Sequence, residues 1–489
     1  MRYAFIFHVL LVALSANELA AQAENNWWYF HNAAVDFGSS PPAVHTTSAM
    51  VQNEGSSSIS SATGELLFYT DGITVWNRND APMPNGNGLL GGYSAAQSAL
   101  IVPAPGHCDV YYLFTVPEES NTIPLAYSIV DMSLAGGLGD ITLKNIPLIA
   151  GVTEGLTATF HTNGVDRWVV TQRCGDLAII SFRLTTSGVD VSPVISPAPP
   201  SPLPNESCYY GYLRISPDGR NLCVTANYAE HACLMAYDPS TGLASEPYRW
   251  KPFPMPVGSL FPTSGGYGVE FSPGSTRLYL QTFSPRMLVQ YDMLAADTAA
   301  FRASRYVVDS AGIDPQNPGS YLYGGALQLA PNGSLYANRL NKTYLSAVPF
   351  PEALGVACGY VEQALDISPL QCADGLPNHL PSYVSCTTML PPPASVAVSM
   401  PNVFTPNADG VNDRFAPFGD VEGISGTLDI HDRWGDTLFS TTDLLNGWDG
   451  KVHDHNCTDG IYFYRIHYST PTGTLHEAHG TLALFSSAR

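Results

Sequence analysis

Short apolar stretches separated by turn-forming residues recur along most of the chain. The clearest unit starts at Ser216-Pro-Asp-Gly219, continues through Asn221-Leu-Cys-Val224, and runs to Leu234-Met-Ala-Tyr-Asp238 with a second turn ending at Gly242. Proline at the second turn position pre-sets φ, and Asp-Gly supplies residues that tolerate the left-handed region, so the unit predicts a strand, a tight turn and a paired strand. It recurs at Ser272-Pro-Gly-Ser275 with Arg277-Leu-Tyr-Leu280, and at Ala330-Pro-Asn-Gly333 with Leu335-Tyr336. Weaker copies begin at Ala62-Thr-Gly64, Ala104-Pro-Gly106 and Thr162-Asn-Gly164. The turn glycines 64, 106, 164, 219, 274 and 333 are 42, 58, 55, 55 and 59 residues apart. Several short strands per copy at such a period predict a β-propeller, one small sheet per copy around an axis.

Two further strands are expected at Asn26–His31 and Ala33–Phe37, before the first copy, and a lone one at Asp374–Ser382, after the last. Closing the ring with one blade built from both chain ends would hide the open sheet edges. The expected fold is therefore all-β, a seven-bladed β-propeller, although six or eight blades fit the same pattern. No long window carries helical periodicity without Pro or Gly interrupting it.

Each copy also has an apolar strand just before its turn, and in a propeller that strand lines the central channel. Those strands open at Glu54, Gln97, Glu154, Tyr210, Tyr267 and Tyr323, with Asn378 and His379 in the closing segment. Equivalent offsets converge on one mouth, so these residues form a candidate ring for a cation or a polyhydroxylated ligand. A solvated channel mouth would need polar residues in any case. Glu54 and Glu154 could also serve as an acid–base pair, which keeps open a propeller hydrolase or lyase acting on sugars or lactones. No Gly-x-Ser-x-Gly elbow or His-Glu-x-x-His motif occurs, so a binding module is the leading expectation over an enzyme.

Composition narrows the setting. Gly (43), Pro (39) and 11% aromatic residues suit many short strands. Lys+Arg 21 against Asp+Glu 42 gives a net charge of −21, which repels nucleic acid and anionic surfaces. Arg2 followed by a mostly apolar run from Ala4 to Ala16 and the small residues Ala21-Gln22-Ala23 predict a signal peptide over 1–23. No stretch is long and apolar enough to predict a transmembrane segment. Nine cysteines in an exported chain allow disulfides; Cys223 and Cys233 flank one predicted hairpin and could face each other. Cys358, Cys372 and Cys386 crowd the end of the repeats, whereas Cys108, Cys174, Cys208 and Cys457 look isolated.

The proline-rich stretch Met389-Leu-Pro-Pro-Pro-Ala-Ser395 predicts a stiff linker over 389–400, ending a propeller domain of 24–388. Residues 401–489 alternate in the manner of strands and predict a small, Ig-like antiparallel sandwich. Within it, Asn407, Asp409, Asn412 and Asp413 resemble the oxygen-rich half of a calcium loop, although no bidentate Glu follows and Asn and Asp also cap tight turns. Calcium is the one cofactor the sequence suggests.

Phe404-Thr-Pro-Asn-Ala-Asp-Gly-Val-Asn-Asp413, Asp432-Arg-Trp-Gly435, Trp448-Asp-Gly450 and Asp459-Gly-Ile-Tyr-Phe-Tyr464 closely resemble the gliding-motility-associated C-terminal domain of Bacteroidetes, the type B sorting domain of the type IX secretion system. Ala408 stands where that family usually has Gly, and His431-Asp432 where it has Tyr-Asn. Leu67-Phe-Tyr-Thr-Asp-Gly-Ile-Thr-Val-Trp-Asn77 and Gly375-Leu-Pro-Asn378 are similar to an uncharacterised propeller that often precedes the domain. The resemblance implies passage through the periplasm, handling by the type IX machinery, and surface display or release; it implies no catalytic activity. The partner expected of the propeller is a glycan, a small molecule or a protein.

Overall fold

The computed structural model describes residues 23–118, 122–197, 211–225, 231–253, 266–283, 286–311, 323–381, 400–401, 403–407, 412–418, 421, 424–453, 455–469 and 475–486. The expected signal peptide and the proline-rich linker therefore fall outside the described residues, apart from Ala23 and Met400. The chain divides into two compact units, 1–390 and 391–489.

In the first unit, six consecutive antiparallel sheets each hold four or five strands, and strands within a sheet follow chain order except that Val194–Ser196 of the third pairs back to Ile179–Thr185. The first comprises Ser57–Ser60, Leu66–Thr70, Thr74–Asn77 and Pro82–Asn87. The other five begin with Ala99–Pro103, Val152–Phe160, Leu213–Ile215, Gly268–Phe271 and Leu327–Leu329. These leading strands are almost wholly buried. The outermost strands alternate buried and exposed residues or lie mostly exposed, as at Leu243–Trp250 and Val361–Asp366. Burial therefore decays from the first strand of each sheet to its last, the trend expected of a propeller blade.

A three-stranded sheet (Trp27–Phe30, Ala33–Asp36, Ala43–His45) precedes them. Its Trp28 packs edge-on to Tyr336 of the sixth sheet, with centroids 5.8 Å apart, while Ser56 and Ser58 of the first sheet donate to the Tyr29 and Trp27 carbonyls. The segment after the sixth sheet runs between the same two neighbours. The Ala326 N–H donates to the Asp374 carbonyl, and the Asp374 and Asn378 N–H groups donate to Asn53 and Ser56. Gly375 is required here, since a Cβ would collide with the Glu54 carbonyl.

The repeat turns form where the glycines predict, with one displacement. Gly64, Gly106, Gly164, Gly219 and Gly333 take positive φ, but in the fifth sheet the left-handed residue is Ser275 at +60°. Ser272-Pro-Gly-Ser carries its glycine one place earlier than Ser216-Pro-Asp-Gly, so the position that needs φ > 0 falls on serine. A second departure is a helix at Thr298–Ala303, whose N-cap Asp297 accepts the Ala300 N–H. The expected Cys223–Cys233 pairing is corrected by register. Cys223 lies opposite Leu234 and Cys233 opposite Val224, so their side chains leave the sheet on opposite faces and both thiols are free. Cys358, Cys372 and Cys457 are also free, whereas Cys108 and Cys174 are disulfide-bonded. Cys208 and Cys386 lie outside the described residues.

The second unit holds a five-stranded sheet and the two-stranded hairpin Lys451–Val452 and His455–Asn456. Its long central hairpin, Gly460–Ser469 with Leu475–Leu484, buries Tyr462 and Ile466 and exposes Ile461 and Phe463. Val403–Phe404 pairs in parallel with Ala483–Leu484, so the sheet is not antiparallel throughout. Phe404, Phe415, Trp448, Leu428 and Ile430 complete the core.

Candidate functional site

The interior of the ring is closed by a buried polar network. Arg214, on the leading strand of the fourth sheet, lies 3.3 Å from Glu270 of the fifth, with side-chain exposures of 1% and 3%. Its guanidinium also donates to Gln328 Oε1 (2.9 Å) and to the His379 carbonyl (3.0 Å). The carboxylate of Glu270 accepts backbone N–H groups from Phe271 and Leu329. Gln97 belongs to the same layer. Its Oε1 accepts the Leu156 and Leu213 N–H groups, and its amide donates to Asn378. Asn378 donates in turn to the Ala99 and Leu156 carbonyls. This layer joins leading strands from five sheets to the closing segment. Because a buried charge persists only when paired and hydrogen-bonded, the layer is a structural plug rather than a binding surface. His379, sealed beside Arg214, is pushed down to about 3 by burial and by that positive charge, and so stays neutral.

Beside the plug, the residues that open the leading strands draw together. Glu54, Glu154 and Asp374 interact electrostatically through the Glu54 carboxyl, which is pushed up to about 9, first by burial and then by the charges of Glu154 and Asp374. The Tyr267 hydroxyl beside it offsets part of that rise. Asp374 is pushed up to about 7 by burial, and its Oδ1 is buried without a hydrogen-bond partner among the described residues. Glu154 accepts the Ala96 N–H at 2.9 Å. The phenols of Tyr212 and Tyr267 both feel the charges of Glu54 and Asp374. Their rings meet edge-on at 5.2 Å, and an aromatic wall continues through Phe283 (5.5 Å) to Tyr323 (5.3 Å). Glu54, Phe283 and Tyr323 are half-buried, and Glu154, Asp374, Tyr212 and Tyr267 are buried. The site thus has an accessible rim and a deeper floor.

Of the ring read from the sequence, Glu54, Glu154 and Tyr267 gather here with Tyr323 at the end of the wall, whereas Gln97 is spent in the plug. Tyr210 lies outside the described residues; the tyrosine that meets Tyr267 is Tyr212, two positions later. Asp374 was not among the predicted residues. Its signal was the pair Asp374-Gly375, which repeats Glu54-Gly55, Glu154-Gly155 and Tyr267-Gly268. Glycine follows because adjacent leading strands touch there: a Cβ on Gly268 would sit 2.5 Å from the Gly325 carbonyl oxygen. Among the described residues no group of His, Cys, Asp and Glu has the arrangement of a metal site.

In the second unit the Asp413 carboxylate accepts the Asn407 N–H at 3.0 Å, and the Asn412 carbonyl accepts the Thr405 N–H at 2.9 Å. Asn412 takes φ +55°. These are the contacts of a side-chain-capped turn. Asp409 lies outside the described residues.

No curated protein matches the chain. Similar solved structures include a putative 6-phosphogluconolactonase from Bacteroides uniformis, at 12% identity over 85% of this chain and 92% of that one, TM-score 0.37. They also include the periplasmic gluconolactonase of Pseudomonas aeruginosa, at 14% identity over 77% and 93%, TM-score 0.36. A third is the Myceliophteria thermophila Cps50 (Swd1) β-propeller domain, at 12% identity over 65% and 94%, TM-score 0.35. In the second unit, residues 398–484 match the CHU_C type IX secretion signal domain, so the chain ends in a type IX secretion signal behind its all-β first unit.

Proposed function

We propose that this protein is a type IX cargo whose first unit, a seven-bladed propeller, is a binding module. The acidic mouth would take a ligand bearing an organic cation, and the C-terminal unit, an Ig-like sorting domain, would direct export to the cell surface or medium. Six meander sheets plus the N-terminal three-stranded sheet support the count of seven. The observation that carries the binding reading is the convergence of Glu54, Glu154 and Asp374 beside an aromatic wall. A carboxyl held out of water beside other acids, as Glu54 is, keeps its proton until a positive charge relieves it, and aromatic faces attract a cation that a polar ligand presents.

Calorimetry with the mature full chain and choline, putrescine and arginine as probes tests this. Binding should release protons, so the measured heat should vary with the ionisation enthalpy of the buffer. The Glu54→Gln/Glu154→Gln double variant should fold and lose binding. No saturable binding by any probe, or equal binding by the double variant, refutes the reading. Turnover of a sugar lactone that disappears in the double variant would replace binding with hydrolysis as the activity of the site.

A further inference from the structure

We propose that the groove between the N-terminal three-stranded sheet and the first sheet binds a pyranose ring of a neutral carbohydrate. It is a cavity of about 730 Å³, lined among others by Asn26, Trp27, Asp36, His45, Arg78 and Asp80. That volume lies within the range of small-molecule sites.

The strand Trp27–Phe30 builds the site by alternation. Trp28 and Phe30 face the core and are fully buried, so Trp27 and Tyr29 face the groove. Tyr29 stacks on Tyr69 at 3.8 Å and Tyr69 on Trp76 at 5.5 Å, which fixes the aromatic side of the groove. Trp27 stays half-buried, with the His45 ring tilted against it at 4.8 Å. Around this platform the polar groups are held but not exhausted. Asp36 Oδ1 accepts the Gly38 N–H at 2.7 Å and Asp80 Oδ1 accepts the Tyr69 hydroxyl at 2.7 Å, leaving each carboxylate its second oxygen. The Asn26 amide fills the space that side chains at Gly38 and Gly64 would occupy; a Cβ on Gly38 would lie 2.9 Å from its nitrogen.

The ligand class follows from the lining. A pyranose has an apolar C–H face that lies on an indole and an edge of adjacent hydroxyls that pair with carboxylates, amides and guanidinium groups. An anionic ligand is disfavoured, because Asp36, Glu65 and Asp80 outnumber Arg78 in the lining. An apolar ligand would strand those charges unpaired.

The test is titration of the mature full chain with glucose, galactose, mannose, N-acetylglucosamine, maltose and cellobiose, followed by tryptophan fluorescence and calorimetry. At least one sugar should bind saturably. Trp27→Ala and Arg78→Ala should each weaken it by about tenfold or more, while Trp27→Phe retains most of the affinity. Arg78 is exposed, so its variant reports even if Trp27→Ala does not fold. Glu54→Gln/Glu154→Gln should leave sugar binding unchanged, which separates this groove from the channel mouth. Absence of saturable binding by all six sugars, or unchanged affinity in Arg78→Ala or in a folded Trp27→Ala, overturns the proposal. So does loss of sugar binding in the double glutamine variant. Retention on cellulose or starch without binding of the free sugars would likewise overturn a site for a single ring.

Discussion

Glu54 and His379 give the first unit a pH dependence whose sign can be worked out. Glu54 titrates at about 9 in the folded chain against an ordinary value of 4.5, and Asp374 at about 7 against 3.8. A raised carboxyl contributes stability that is complete below its unfolded value and is lost as pH rises through the folded one. His379 is lowered from 6.5 to about 3, so its contribution is complete above 6.5 and is lost as pH falls. The opposing trends overlap between pH 4.5 and 6.5, above which only the carboxyl loss acts. The melting temperature of the first unit should therefore fall between pH 6.5 and 9. Glu54→Gln should flatten that fall by several degrees, since each pH unit over which only the folded chain holds the proton is worth up to ~1.4 kcal/mol. Equal slopes for the variant and the parent would contradict the assignment. Glu54 and Glu154 could be read from the chain because a carboxylate opening an apolar strand is conspicuous. Asp374 could not, because Asp-Gly also spells an ordinary turn, and only the closed ring brings it beside Glu54. Gln97 opens its strand in the same way, yet its amide is consumed by Leu156, Leu213 and Asn378, partners that chain order does not reveal.

At the scale of elements, the N-terminal sheet is bound to what surrounds it by its alternate residues. Trp28, Phe30, Ala33, Val35 and Phe37 belong to the same core as residues of the fourth, fifth and sixth sheets. Deleting Trp27 to Phe37 would uncover aromatic surface together with the edge that the Tyr29 and Trp27 carbonyls close against Ser56 and Ser58. The shortened chain should aggregate or lose cooperative unfolding; a monomer with an unchanged melting curve would show that the sheet is peripheral. Repetition made these elements legible, since a turn glycine recurring at 42 to 59 residues marks each hairpin independently. The helix at Thr298–Ala303 was not legible, because six residues offer no periodicity and only its cap Asp297 announces it. Register was equally hidden: a one-residue offset decides whether Cys223 and Cys233 meet, and spacing cannot fix it.

At the scale of the molecule, the division at 390/391 separates two cores with no shared cluster among the described residues. Each unit closes its own hydrophobic surface: Trp448 and Phe415 seal one, Trp28 and Tyr267 the other. Folding of the first unit should therefore not depend on the second. The type IX signal at 398–484 should matter for export alone. A chain ending at Ser395 should melt within about 1 °C of the first-unit transition in the full protein, below the roughly 2–4 °C that ~1 kcal/mol of lost contacts would cause. Expressed in a type IX-competent host, the same chain should cross the inner membrane and accumulate in the periplasm, while the full chain reaches the surface or medium. A large drop in melting temperature would mean that the second unit buttresses the first. Surface delivery of the shortened chain would mean that the signal is not confined to the matched residues. The calcium expectation for Asn407, Asp409, Asn412 and Asp413 belongs to the same experiment. Asp413 caps the Asn407 N–H through one carboxylate oxygen, the contact of a turn held by its own side chains. Millimolar calcium should leave the second-unit melting temperature unchanged; a rise that chelator reverses would establish the site, because a ligand that binds only the folded state stabilises it.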